Sequence, residues 1–127
     1  MIDLSQYNIE KPKTTDNANI NRDGGVTFVY HKNGKRIVFS KRVLNMLDNP
    51  DRIEFGFIEK YLIISPSDKE GFLLKEMNKQ KVIYNALLIK EIFHTYKIEY
   101  NDTYCKTFSN IEIVDTDKKI IAVEMFT

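Results

Sequence analysis

Apolar positions take on a regular period at Val26. Val26-Thr-Phe-Val-Tyr30 and Lys35-Arg-Ile-Val-Phe39 are runs of β-formers separated by His31-Lys-Asn-Gly34, and an Asn-Gly step between two such runs predicts a β-hairpin. The period then changes. Val43, Leu44 and Leu47 share one helical face behind Ser40, a residue suited to cap a helix N-terminus. Asn49-Pro50 predicts the end of that helix, because proline lacks the backbone donor and disfavours helical backbone in the residue before it. Ile53-Glu-Phe-Gly-Phe57 alternates as a half-buried strand, a turn at Glu59-Lys60 leads into Tyr61-Leu-Ile-Ile64, and Ser65-Pro-Ser-Asp68 closes the unit.

The same order recurs. RIVFSKRVLNML (residues 36–47) and KVIYNALLIKEI (residues 81–92) match position by position at an offset of 45. Phe72-Leu-Leu74, a turn through Met77-Asn-Lys79 and Lys81-Val-Ile-Tyr84 then align without a gap to residues 27–39. Asn85 falls on Ser40, and Leu88, Ile89 and Ile92 fall on Val43, Leu44 and Leu47. This second helix is expected to run to about Tyr96. Beyond it two alignments compete. Lys97–Tyr100 matches Arg52–Phe55 at the same offset, whereas Ile111–Ile113 and Lys119–Ile121 match Ile53–Phe55 and Tyr61–Ile63 at an offset of 58. The second is preferred, because it completes a closing hairpin around Asp115-Thr-Asp117 and makes residues 98–110 an insertion.

The expected architecture is therefore α+β. Two tandem hairpin–helix–hairpin (β-β-α-β-β) repeats, residues 26–65 and 71–125, form one compact domain over residues 26–127. A polar N-terminal arm, residues 1–25, is expected to be flexible, with Ile2, Leu4, Tyr7 and Ile9 as its apolar positions. One forty-residue unit cannot bury both faces of its strands, so the second copy supplies the missing half of the core. A leftover strand edge would favour a homodimer or higher homo-oligomer.

The words KNGKRIVFSKRVLNMLDNPDRIEFGFIEKYLIISP (residues 32–66) resemble the swapped-hairpin unit of the AbrB/MazE-like family, and two units in one chain are similar to the MraZ arrangement. The resemblance implies a small β-barrel of interlocked hairpins and a role in DNA binding and transcription regulation. The chain departs from the family pattern in two places. It has Phe39-Ser40 where the family usually enters the helix with Ile-Pro, and Asn49-Pro50-Asp51 where the family usually has Gly-Asp.

Composition narrows the picture further. The chain has 127 residues, 43% hydrophobic and 29% charged, which suits one globular domain with its own core. The single cysteine, Cys105, has no internal disulfide partner, which points to a cytoplasmic setting. No apolar run approaches the roughly 20 residues of a membrane span, and the first residues lack the layout of a signal peptide. Lysine outnumbers arginine 15 to 4, a bias read as that of an AT-rich bacterial or phage coding sequence.

Net charge is +1, so no global argument favours a polyanion, but the distribution is uneven. Residues 26–52 carry six Lys/Arg against two Asp, whereas residues 53–127 carry ten Lys/Arg against twelve Asp/Glu. Lys32, Lys35, Arg36, Lys41 and Arg42 form a basic cluster in the first repeat. Lys41 and Arg42 occupy a helix first turn, where cations oppose the helix dipole, and the second repeat has Ala86 and Leu87 there. Charge at a place the scaffold does not require it points to phosphate contact, against the commoner reading of a solvated lysine-rich surface.

Other signals are weak. His31, His94 and Cys105 lack metal-ligand spacing, Asp115-Thr-Asp117 lacks the further ligands of a calcium loop, and the glycines form no phosphate-binding fingerprint. Neither Ser40 nor Cys105 has a base beside it in the sequence. Tyr96, Tyr100, Tyr104 and Phe108 recur every four residues, a spacing more often explained by core packing or a partner surface than by base stacking. The expectation is a non-enzymatic protein without cofactor or metal. Its leading function is a DNA-binding regulatory or accessory role through the basic cluster. The alternative is a protein-interaction module that binds no nucleic acid, and the acidic second half leans toward it.

Overall fold

The computed structural model describes residues 24–126. Along the chain run β1 (Val26–His31), β2 (Gly34–Phe39), α1 (Lys41–Met46), β3 (Arg52–Ile58), β4 (Tyr61–Ser67), β5 (Phe72–Leu73), β6 (Lys75–Met77), β7 (Gln80–Ile83), α2 (Ala86–Thr95), β8 (Tyr104–Phe108), β9 (Ile111–Asp115) and β10 (Ile120–Glu124). The strands form two five-stranded antiparallel sheets, ordered β6-β7-β2-β1-β8 and β5-β3-β4-β10-β9. The α+β class is as expected. The closed barrel is not: each sheet keeps two edges, because β5 and β8 add at the ends rather than joining the sheets together.

Both helices begin where their caps predict. The Ser40 hydroxyl accepts from the Val43 amide at 3.4 Å, and the Asn85 side-chain Oδ1 accepts from the Leu88 amide at 3.0 Å. α1 stops after six residues, before the proline, as Asp48 and Asn49 turn into the left-handed region with φ of 65° and 49°. α2 ends at Thr95, one residue short of the expected Tyr96, which takes the C-cap position. One core receives Phe28, Ile37 and Phe39 from the first sheet, Ile53, Leu62, Ile64, Ile121 and Val123 from the second, and the apolar stripes of both helices.

The gapless alignment of the two halves needs a correction. The first hairpin turns through Lys32-Asn33, with His31 opposite Gly34, and its counterpart turns through Asn78-Lys79, with Met77 opposite Gln80. Strand and turn therefore correspond at an offset of 46, whereas the caps Ser40 and Asn85 correspond at 45. The second copy is one residue shorter between turn and cap. Because side chains alternate, that residue decides burial. Ile83, not Val82, takes the place of Ile37, and the two pair directly across the β2–β7 ladder. Tyr84, matched to Phe39 by the sequence, points outward at 58% exposure against 0% for Phe39.

The 46-residue offset has a second marker. A Cβ on Gly25 would lie 2.2 Å from the Phe108 carbonyl oxygen, and a Cβ on Gly71 would lie 2.2 Å from that of Ile53. In both copies a glycine lets the chain cross a neighbouring strand at the start of the first hairpin. The expected strand over residues 72–74 is divided at Leu74, with Phe72–Leu73 pairing β3 in one sheet and Lys75–Met77 pairing β7 in the other. The expected insertion over residues 98–110 contains a strand, β8, paired with β1. The expected flexible arm lies outside the described residues as far as residue 23. Gly24 and Gly25 belong to the folded part, the Gly25 carbonyl accepting from the Ser40 amide at 3.1 Å.

Candidate functional site

The basic cluster divides into two places. Lys35 pairs with Tyr30 and Arg36 with Val29, so the two adjacent cations leave opposite faces of the first sheet. Lys35 Nζ lies 5.1 Å from the centre of the Tyr30 ring and 3.5 Å from the Lys32 carbonyl oxygen. Lys32 stands exposed on the turn, and with Lys35, Tyr30, Tyr100 and Asp102 it lines a hollow of about 650 Å³. Arg36 Nε is buried and makes no hydrogen bond.

Lys41 and Arg42 stand at the other end of β2. Ser40 lies five residue steps from Lys35, about 16 Å at strand rise. Arg42 is half-buried, and its Nη1 donates to the carbonyls of Gly24 at 3.0 Å and Ser109 at 3.1 Å. Its guanidinium thus ties the start of the described chain to the β8–β9 connection. Lys41 is exposed, and with Asn45 and the Asn78–Gln80 turn it borders a groove of about 820 Å³. Lys79 stands across that groove. It is a cation of the second copy that sequence reading passed over, because only the tertiary fold brings the second hairpin's turn beside α1.

The aromatic series of the insertion packs inward. Phe93 lies 4.8 Å, centre to centre, from both Tyr100 and Tyr104, and Phe108 stands edge-on to Phe28 at 5.6 Å. The Tyr96 hydroxyl donates to the Tyr61 carbonyl. Burial pushes the hydroxyls of Tyr96 and Tyr104 above the ordinary tyrosine value. Asp115 serves the closing turn, its carboxylate accepting from the Lys118 amide at 2.9 Å. Among the described residues no three of His, Cys, Asp and Glu stand where they could hold a metal, and no helix is long and apolar enough to cross a membrane.

A broader surface is the outer face of the second sheet. Ile58, Ile63 and Ala122 occupy outward positions of β3, β4 and β10, and Leu73 and Val114 stand exposed on the two edge strands. The pairing of Gly56 with Ile63 and of Ile58 with Tyr61 places Ile58 and Ile63 on one face. Leu73 lies opposite Arg52, six residues and about 20 Å along β3 from Ile58. No family model, curated protein or solved structure matches the chain.

Proposed function

We propose that this protein is a non-enzymatic protein-interaction module built from an internally duplicated hairpin–helix–hairpin unit. The observation that carries this reading is the outer face of the second sheet, where Ile58, 53% exposed, stands opposite Tyr61 and diagonal to Ile63 on the neighbouring strand. Aliphatic side chains grouped across a sheet face cost solvation and gain from a partner. The duplication is supported by the two capped helices in matching places and by Gly25 and Gly71, each pressed on a strand carbonyl. A swapped-hairpin relationship of the AbrB/MazE kind is the corresponding proposal for its ancestry.

A second reading is contact with nucleic-acid phosphates. What favours it is the groove with Lys41 on one bank and Lys79 on the other. It draws on fewer cations than the sequence offered, since Arg42 is occupied by two carbonyls and Arg36 and Lys35 leave opposite faces.

Two charge- and shape-altering variants separate the readings. A photo-crosslinking residue at position 58 should capture a partner protein in cells, and the purified pair should bind at least about tenfold more weakly with I58E/V114E and unchanged with K41E/K79E. Duplex or single-stranded DNA binding that falls steeply with salt, is lost in K41E/K79E and survives I58E/V114E would replace this reading with the nucleic-acid one.

A further inference from the structure

The charged side chains on the outward positions beside Ile63 and Ala122 are carboxylates. Alternation along each strand sends Glu54 of β3, Glu124 of β10 and Glu112 of β9 outward, on the same side as Ile58 and Ile63. Arg52, at the far end of β3, is the cation among the outward positions of these strands. No cation of the described residues forms an ion pair with Glu54, Glu112 or Glu124. Glu54 accepts from the Ser67 hydroxyl at 3.1 Å and Glu124 from the Asn110 side-chain amide at 3.4 Å, so both carboxylates are held in place without being neutralised.

Tyr61 lies directly opposite Glu124 across the β4–β10 ladder, and its hydroxyl interacts with Glu112. Burial, then the charges of Glu112 and Glu124, push its hydroxyl above the ordinary tyrosine value, which places both carboxylates within electrostatic reach of one ring. Beside them the floor is low, because Gly56 sits opposite Ile63 and carries no side chain. A lysine or arginine entering here would meet two carboxylates and an aromatic ring at its head, with aliphatic carbons along its stem. An acidic partner would meet repulsion at the same place.

We propose that the outer face of the second sheet docks a segment of another protein that carries lysine or arginine beside aliphatic side chains, the cation seating between Glu112 and Glu124. This rests on the protein-interaction reading and gives the partner its chemistry. The aliphatic residues supply the area and the carboxylates select the sign of charge and quicken encounter.

The test uses the full chain, isotopically labelled, and two synthetic amphipathic peptides of alternating leucine and lysine or leucine and glutamate. The leucine–lysine peptide is expected to move the amide signals of Ile58, Ile63, Glu112 and Ala122. E112K/E124K, and the milder E112Q/E124Q should the reversal unfold the chain, should weaken that binding about tenfold at low salt. Equal binding of the glutamate peptide, signals that move all over the surface, or shifts confined to the Lys41–Lys79 groove would each overturn the proposal. So would a homodimer seen by sedimentation that I58E/V114E dissolves and E112Q/E124Q leaves intact. If the cellular partner captured at position 58 is lost with I58E/V114E but held by E112Q/E124Q, the interaction reading stands and this inference falls.

Discussion

Lys81 of β7 reaches under the end of α1 and donates its ammonium to the Pro50 carbonyl at 2.8 Å. A lysine that is 5% exposed joins the second copy's hairpin to the first copy's helix terminus. Its carboxylate neighbour, Asp51 at 3.7 Å, is almost wholly in solvent. The carbonyl therefore fixes the ammonium, and Asp51 adds a screened attraction. Lys81→Ala is expected to destabilise the fold by about 1–3 kcal/mol in urea unfolding, as a polar partner inside the structure is lost. Asp51→Asn should stay within about 0.5 kcal/mol of the parent.

Arg42 and Lys41 are neighbours in the sequence with different tasks. Replacing Arg42 by Ala removes two hydrogen bonds from a charged donor to the Gly24 and Ser109 carbonyls, a loss of about 1.5–3 kcal/mol by denaturant titration. Lys41→Ala, at an exposed position, should fall within about 0.5 kcal/mol of the parent. Equal effects would refute the structural assignment of Arg42.

Phe39 and Tyr84 test the one-residue correction between the copies. Phe39→Ala opens a cavity in the core and should cost about 3–5 kcal/mol. Tyr84→Ala removes an outward ring whose hydroxyl reaches no closer than 4.0 Å to the Met77 sulfur, and should cost less than about 1 kcal/mol. Comparable losses would restore the gapless equivalence.

Three glycines should separate by steric surroundings. Gly25→Ala and Gly71→Ala place a methyl 2.2 Å from a strand carbonyl oxygen, and Gly71 also holds φ at 85°, so each should lose about 1–3 kcal/mol or more. Gly56→Ala meets the Ile63 Cβ at an ordinary 3.5 Å. It should be neutral or stabilising by about 0.5 kcal/mol, because alanine has less backbone freedom to lose in a strand. Thermal unfolding of the three variants side by side decides the matter.

The buried tyrosines predict an alkaline limit. Tyr96 and Tyr104 bind their hydroxyl protons more tightly when folded than in the unfolded chain, whose value is about 10. Their contribution is intact below about pH 10 and is lost as pH rises through the folded values. Tm should fall as pH rises above about 10. Tyr96→Phe should lower Tm at neutral pH, through loss of the hydrogen bond to the Tyr61 carbonyl, and flatten the alkaline decline.

Local chemistry made much of the scaffold legible in the linear chain. Ser40 and Asn85 mark helix starts because a side-chain oxygen close to the backbone reaches the amide three residues on, and the fold keeps both hydrogen bonds. The period-two runs around Ile37, Ile53 and Leu62 mark strands whose inward residues meet in the core. Register was beyond the sequence, because Phe39 and Tyr84 match by type while a single missing residue reverses the face each one shows. Strand order was also beyond it. β5 and β8 are short or polar runs with little hydrophobic period, and they exist because β3 and β1 have edges to pair with. The candidate site follows the same division. The sequence supplied five nearby cations, but alternation and a strand of about 16 Å dispersed them, whereas pairing of distant strands brought Ile63, Ala122, Glu112 and Glu124 onto one face. Periodicity is a property of consecutive residues and can be read from them. A surface is a property of which strands lie side by side, and here the long-range β4–β10 ladder decided it.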